Sequence, residues 1–95
     1  MIKQTKVSVS RLAEKQLAKV PDYIRNKAHE WIKVVEAYGL EAIRKIPGLH
    51  DEPLKGDRRG QRSVRLNRSY RLIYSTEKNQ LIVEIFVIEV TNHEY

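Results

Sequence analysis

The run QLIVEIFVIEV at residues 80–90 limits what this chain can fold into more than any other stretch. Its apolar residues fall at successive positions, so a strand here presents apolar side chains on both faces. Such a strand belongs at the centre of a sheet. Glu77, Lys78 and Asn79 turn the chain into it. Upstream, residues 61–66 and 70–75 alternate apolar and charged residues and read as a hairpin. The second half of the chain is therefore sheet.

The first half reads differently. Residues 2–9, IKQTKVSV, include β-branched residues with weak alternation and read as a first strand. Ser10 is placed to N-cap a helix over about residues 11–19, with Leu12, Ala13, Leu17 and Val20 as its buried stripe. Pro21 ends it and Asp22 caps the next helix. There Ile24, Ala28, Trp31, Ile32, Val35 and Tyr38 fall at helical spacing, and Gly39 ends the run. Leu40 to Ile46 can add a short turn before the break at Pro47-Gly48. The order β-α-α-β-β-β predicts one α+β domain over residues 1–95. Its twisted, antiparallel-rich sheet carries a helical hairpin on one face.

Ninety-five residues suffice for one modest core and no second one. Hydrophobic residues make up 41% and charged residues 32%, which excludes a disordered chain. No apolar run approaches the roughly 18 residues of a membrane span, and the start MIKQTKVSVS has no apolar signal region. With no cysteine there are no disulfides, thiolate zinc sites or cysteine nucleophiles, and a reducing cytoplasm is the expected location.

The net charge of +6 is concentrated. Residues 55–71 carry seven cations and one acid, leaving +6 in that segment and a balance near zero elsewhere. A local basic patch attracts polyanions, nucleic acid first among them, although a charge run alone equally describes a solubilising face. Lys55, Arg58, Arg59, Arg62 and Arg68 are the candidate phosphate contacts within it.

The hairpin register sharpens this. Val64, Leu66, Tyr70, Leu72 and Tyr74 have to share the core face, which requires partners of even index sum. A three-residue loop, Asn67-Arg68-Ser69, achieves this by pairing Leu66 with Tyr70, with Asn67 able to adopt the left-handed conformation such loops often need. Arg65 and Arg71 then become direct neighbours on the opposite face. Facing arginines repel by a few tenths of a kcal/mol or more. Their planar forks of donors match phosphate oxygens. The predicted role of this face is phosphate binding. The structural alternative is an ion network in which Glu52, Asp57, Glu84 or Glu89 neutralises the pair.

The chain lacks a P-loop, GxGxxG, HExxH or zinc spacing, and His29, His50 and His93 are not spaced as metal ligands. One chemistry suits the residues present and calls for no metal or cofactor. It is RNA cleavage by the 2′-hydroxyl, which needs a base, an acid and cations for the developing charge on phosphorus. The terminal TNHEY offers titratable groups directly after the long strand.

The blocks EPLKGD and GQRSVRLNRSYRLIY and the ending VTNHEY resemble the RelE/ParE superfamily of toxins from type II toxin–antitoxin systems, above all its RelE-, YoeB- and HigB-like branch. Residues 47–95 carry the likeness by motif, the helical half by pattern and length. The resemblance implies a RelE-like fold and a ribosome-dependent mRNA endoribonuclease, acting without metal in the A site of the 70S ribosome. It also implies a cognate antitoxin and a toxin–antitoxin complex that binds operator DNA. By the same likeness, Glu52 stands at the general base and Arg71, with Arg65, at the phosphate. His93 and Tyr95 stand at the acid or base-stacking positions, and Lys55 at a phosphate-contacting lysine. Glu94 separates His93 from Tyr95, where YoeB-like chains end in adjacent His-Tyr. Two other readings compete: a ParE-like, non-enzymatic inhibitor of DNA gyrase, and a plain nucleic-acid binder. The latter would show solvent-facing aromatics, whereas Tyr70, Tyr74 and Phe86 are expected in the core or sheet.

Overall fold

The computed structural model of the chain describes residues 4–78 and 82–92. Strand β1 (Gln4–Val9) is followed by helices α1 (Arg11–Lys19), α2 (Asp22–Tyr38) and α3 (Leu40–Arg44). Strands β2 (Glu52–Pro53), β3 (Gln61–Arg65), β4 (Tyr70–Lys78) and β5 (Ile82–Asn92) complete the chain. Short 3-10 turns at Pro47–Leu49 and Gly56–Arg58 flank β2. The expected α+β architecture is present, with α3 at the expected extra turn and β2 added.

Ser10 starts α1 as its sequence position predicts. Its Oγ accepts from the Ala13 N–H at 3.0 Å and donates to the Ile88 carbonyl at 2.6 Å, so one hydroxyl caps the helix and ties it to β5. Ala13, Leu17 and Val20 are buried, but Leu12 is 52% exposed. Those three lie at i, i+4 and i+7 and define the buried stripe; Leu12 stands about 100° away around the helix. Two expectations for α2 change as well. Pro21, not Asp22, takes the N-cap position, and its carbonyl accepts from the Ile24 and Arg25 N–H groups. Asp22 is the first helical residue and accepts from Arg25 Nη1 at 2.6 Å. Ile24, Ala28, Trp31 and Val35 are buried, while Tyr38 is 74% exposed at the last position of the helix. Gly39 then turns the chain at φ 86°, a region open to glycine, and donates to the Val35 carbonyl.

The strands run in the order β1-β5-β4-β3-β2. β1 is parallel to β5 and every other pair is antiparallel. β5 is thus interior, as its double-sided apolar pattern requires, although β4 holds the middle. The helices cover one face. Val64, Leu66, Leu72, Tyr74, Ile85, Val87 and Val90 meet the helical stripes there. Burying a side chain of this size contributes about 1.5–3 kcal/mol. The Trp31 and Tyr74 rings pack at the centre, 5.2 Å apart and tilted by 44°.

The opposite face carries the facing arginines, and a bulge shapes it. Ile73 pairs with Glu89 but Tyr74 with Val87, so Ile88 is an extra residue in β5. Glu84 and Glu89 are five residues apart, an odd spacing that a regular strand would send to opposite faces. The bulge lets both stand on the open face while Ile85, Val87 and Val90 remain in the core. Phe86 is also on the open face, half-buried opposite Ser75, rather than in the helical core.

Candidate nucleic-acid interface

The β3–β4 hairpin has the register derived from its apolar pattern. Val64 pairs with Leu72 and Arg65 with Arg71. The Leu66 N–H donates to the Tyr70 carbonyl at 2.9 Å, closing the three-residue loop. Asn67 holds that loop through its side chain rather than through a left-handed backbone. Its Oδ1 accepts from the Ser69 and Tyr70 N–H groups, each at 2.8 Å. Among the described residues other than glycine, only His50 has a positive φ. The side-chain amide supplies the turn hydrogen bonds, so the backbone has no need of the left-handed region.

Arg65 and Arg71 therefore share one rung of the open face. One rung along β3, Ser63 lies opposite Ile73, and both are buried. Arg71 Nη1 donates to Ser63 Oγ at 3.2 Å. On the far side of Ser63 is Glu52, its partner in the two-residue strand β2. Ser63 thus stands between the Glu52 backbone and the Arg71 guanidinium, on the face that carries both side chains. Glu52 is exposed. Arg65 is half-buried, and its Nε is enclosed without a hydrogen-bond partner. An orphaned donor of this kind is costly, and an anion approaching the guanidinium edge can relieve it.

The remaining cations divide into two groups. Lys55, Arg59 and Arg68 are exposed. Arg58 forms an ion pair with Glu89 on β5. That contact carries the Arg58 side chain over β4, and it engages one of the four acids considered as neutralisers of the arginine pair. Arg62 departs from the phosphate-binding expectation. It pairs with Tyr74, on the helix-covered face, and its Nε donates to Asp51 Oδ1 at 2.5 Å. The Asp51 side chain is only 1% exposed. Tyr74 completes the cluster, donating its hydroxyl to Asp51 Oδ2 at 2.5 Å. Burial first, then the hydrogen bond and charge of Asp51, push the Tyr74 phenol far above its ordinary value, against the pull of Arg62 and Arg44. Desolvation works against the charged Arg62, but the bond and charge of Asp51 outweigh it and its pKa is raised.

His93 and Tyr95 lie outside the described residues. The last described rungs of β5, Thr91 opposite Arg71 and Asn92 opposite Tyr70, bring the chain to this end of the sheet. Sequence reasoning missed Ser63 and Asp51. Ser63 has the parity of Arg65 and was legible from it; Asp51 is a non-local partner with no periodic signal. Among the described residues there is no group of three or more potential metal ligands, and no helix long and apolar enough to cross a membrane. A cavity of about 610 Å³ opens between α2, the α3 region and the end of β3. Val34, Tyr38, Ile43, Ile46 and Leu49 make its wall mainly apolar, with Lys27, Glu30, Arg65 and Asn67 also lining it. Glu52, Ser63 and Arg71 are not among its lining residues, and that part of the arginine face is a surface.

A mixed five-stranded sheet with helices on one face and cations on the other defines a RelE-like toxin fold. The chain matches a YoeB/ParE toxin from Agrobacterium tumefaciens at 18% identity with a TM-score of 0.72, covering 94% of this chain and 99% of that one. It matches a YoeB-YefM complex from Staphylococcus aureus at 21% identity and TM-score 0.68, over 96% and 99%. YafQ from E. coli strain BL21(DE3) aligns at 17% identity and TM-score 0.67, over 94% and 93%. The sequence matches no curated protein. Residues 7–94 match the family model for the ParE toxin of the type II toxin-antitoxin system, parDE. The chain belongs to this family and is the toxin of a toxin–antitoxin pair.

Proposed function

We propose that the chain is a ribosome-dependent mRNA endoribonuclease of the cytoplasm, cutting RNA through attack of a 2′-hydroxyl on its own 3′-phosphate. The observation that carries this reading is the placement of Glu52, Arg65 and Arg71 on one face, around Ser63. Glu52 takes the 2′-hydroxyl proton. The oxygen attacks phosphorus, and the bond to the 5′-oxygen breaks. An acid returns a proton to that oxygen, leaving a 2′,3′-cyclic phosphate and a 5′-hydroxyl. Arg65 and Arg71 hold the negative charge that develops on phosphorus. Resemblance assigns the acid and base-stacking roles to His93 and Tyr95. Lys55, Arg59 and Arg68 guide the RNA backbone, and Arg58 joins them by exchanging Glu89 for a phosphate.

The same basic face suits an acidic segment of a cognate antitoxin, which would block the site, and the pair would bind operator DNA. The test is cleavage of mRNA on programmed 70S ribosomes. Loss of a general base costs about 10²–10⁴-fold, so Glu52→Gln should cut slower by at least 100-fold. Wild-type cleavage by that variant removes Glu52 as the base.

The family match favours one competing reading, a non-enzymatic gyrase inhibitor of ParE type. It predicts intact mRNA and a DNA-damage response on expression.

A further inference from the structure

Glu52 sits on a strand too short to hold itself. β2 is two residues at the sheet edge, extended only by the Leu54 N–H donating to the Gln61 carbonyl at 2.9 Å. Short edge pairings open easily. The residue before it is held far more firmly. Asp51 accepts from Arg62 Nε and the Tyr74 hydroxyl with its two carboxylate oxygens, and from Arg62 Nη2 with its backbone carbonyl at 3.3 Å. Tyr74 is fully buried, with its ring on Trp31, so the clasp is fixed to the core. On the other side of Asp51, His50 is left-handed at φ 45° and ψ 52°. A non-glycine residue persists there only when its surroundings impose it.

Adjacent residues of an extended segment point to opposite faces. A carboxylate clasped at residue 51 on the helix-covered face therefore sends residue 52 to the arginine face. We infer that Asp51, gripped by Arg62 and Tyr74, is a positioning residue that aims the Glu52 carboxylate at the reacting 2′-hydroxyl. Its catalytic half rests on the nuclease reading above; its anchoring half does not.

The test uses the full chain with Tyr74→Phe, which removes one attachment and keeps the ring, and Asp51→Asn as a second variant should the first not fold. Two readouts separate the halves. Hydrogen exchange at the Leu54 amide should quicken about tenfold or more, while buried β5 amides, which open only with the whole domain, should quicken by no more than the loss of global stability measured by denaturation. Unchanged Leu54 protection overturns the inference, whatever the chain does to RNA. In cleavage on programmed ribosomes, kcat should fall about 10- to 100-fold, the cost of misplacing a reacting group. KM should stay within about twofold, because Arg65 and Arg71 are untouched. In a Glu52→Gln background the second substitution should cost nothing more. A further loss there shows that Asp51 acts other than through Glu52 and overturns the inference, with the nuclease reading intact. A wild-type chain that leaves RNA uncut overturns the nuclease reading and the catalytic half together, and the exchange result alone then decides the anchoring.

Discussion

Replacing Tyr74 with Phe deletes one hydroxyl from a side chain of zero exposure and leaves the buried Asp51 carboxylate one donor short. A hydrogen bond to a charged group contributes about 1.5–3 kcal/mol. The variant should therefore lose roughly 2 kcal/mol at pH 7, lowering Tm by about 8–16 °C at 4–8 °C per kcal/mol for a domain of this size. The loss should also depend on pH. The folded state holds the Tyr74 proton well above pH 10, whereas the unfolded chain releases it near 10. Above pH 10 the unfolded state binds fewer protons, so the free energy of unfolding falls as pH rises, with a slope approaching about 1.4 kcal/mol per pH unit. This stabilisation is fully present below pH 10 and fades above it. Phe has no such proton. Urea denaturation of both chains at pH 7, 9, 10 and 11 should show a constant gap up to pH 9 and a clear narrowing by pH 11. A variant as stable as wild type at pH 7, or a gap that does not narrow, refutes the account of this cluster.

Arg71→Ala removes a fork from the open face, and its 3.2 Å bond to Ser63 is offset in part by relief of repulsion from Arg65. Denaturation should place it within about 1 kcal/mol of wild type, while cleavage falls about 10²–10³-fold. Wild-type growth arrest on its expression would contradict the site. Arg68→Ala, at the exposed hairpin loop, should weaken RNA binding evenly across sequences and lower the salt slope of log K by about 1. An unchanged slope means Arg68 touches no phosphate. Ser10→Ala loses both the α1 cap and the tie to Ile88. It should cost about 1–2 kcal/mol by urea denaturation, against near zero if the cap is idle.

Much of this was legible because the period of a strand is two. Parity alone paired Arg65 with Arg71 and put the arginine face away from the helices. The same parity places Arg62 beside Val64 and Leu66 on the core face. Counting it with the phosphate contacts followed charge where periodicity pointed the other way. What parity does not carry is the partner that makes such burial tolerable. Asp51 is eleven residues from Arg62 and 23 from Tyr74, and only the folded chain joins them. The parallel pairing of β1 with β5 is likewise non-local. The bulge at Ile88 did leave a trace, two glutamates at odd spacing in an otherwise apolar run. Leu12 was misplaced because it stands a full residue step, about 100°, from its stripe, and Tyr38 because it has stripe spacing but is the last residue of its helix.

The central claim is that the arginine face cuts RNA. The most direct measurement is induced expression in a bacterial host, followed by mapping of mRNA 5′ ends. The account predicts new ends inside translated regions, in frame with codons, and absent from cells expressing Arg71→Ala. Growth arrest with intact mRNA and a DNA-damage response would contradict it and assign the chain to gyrase.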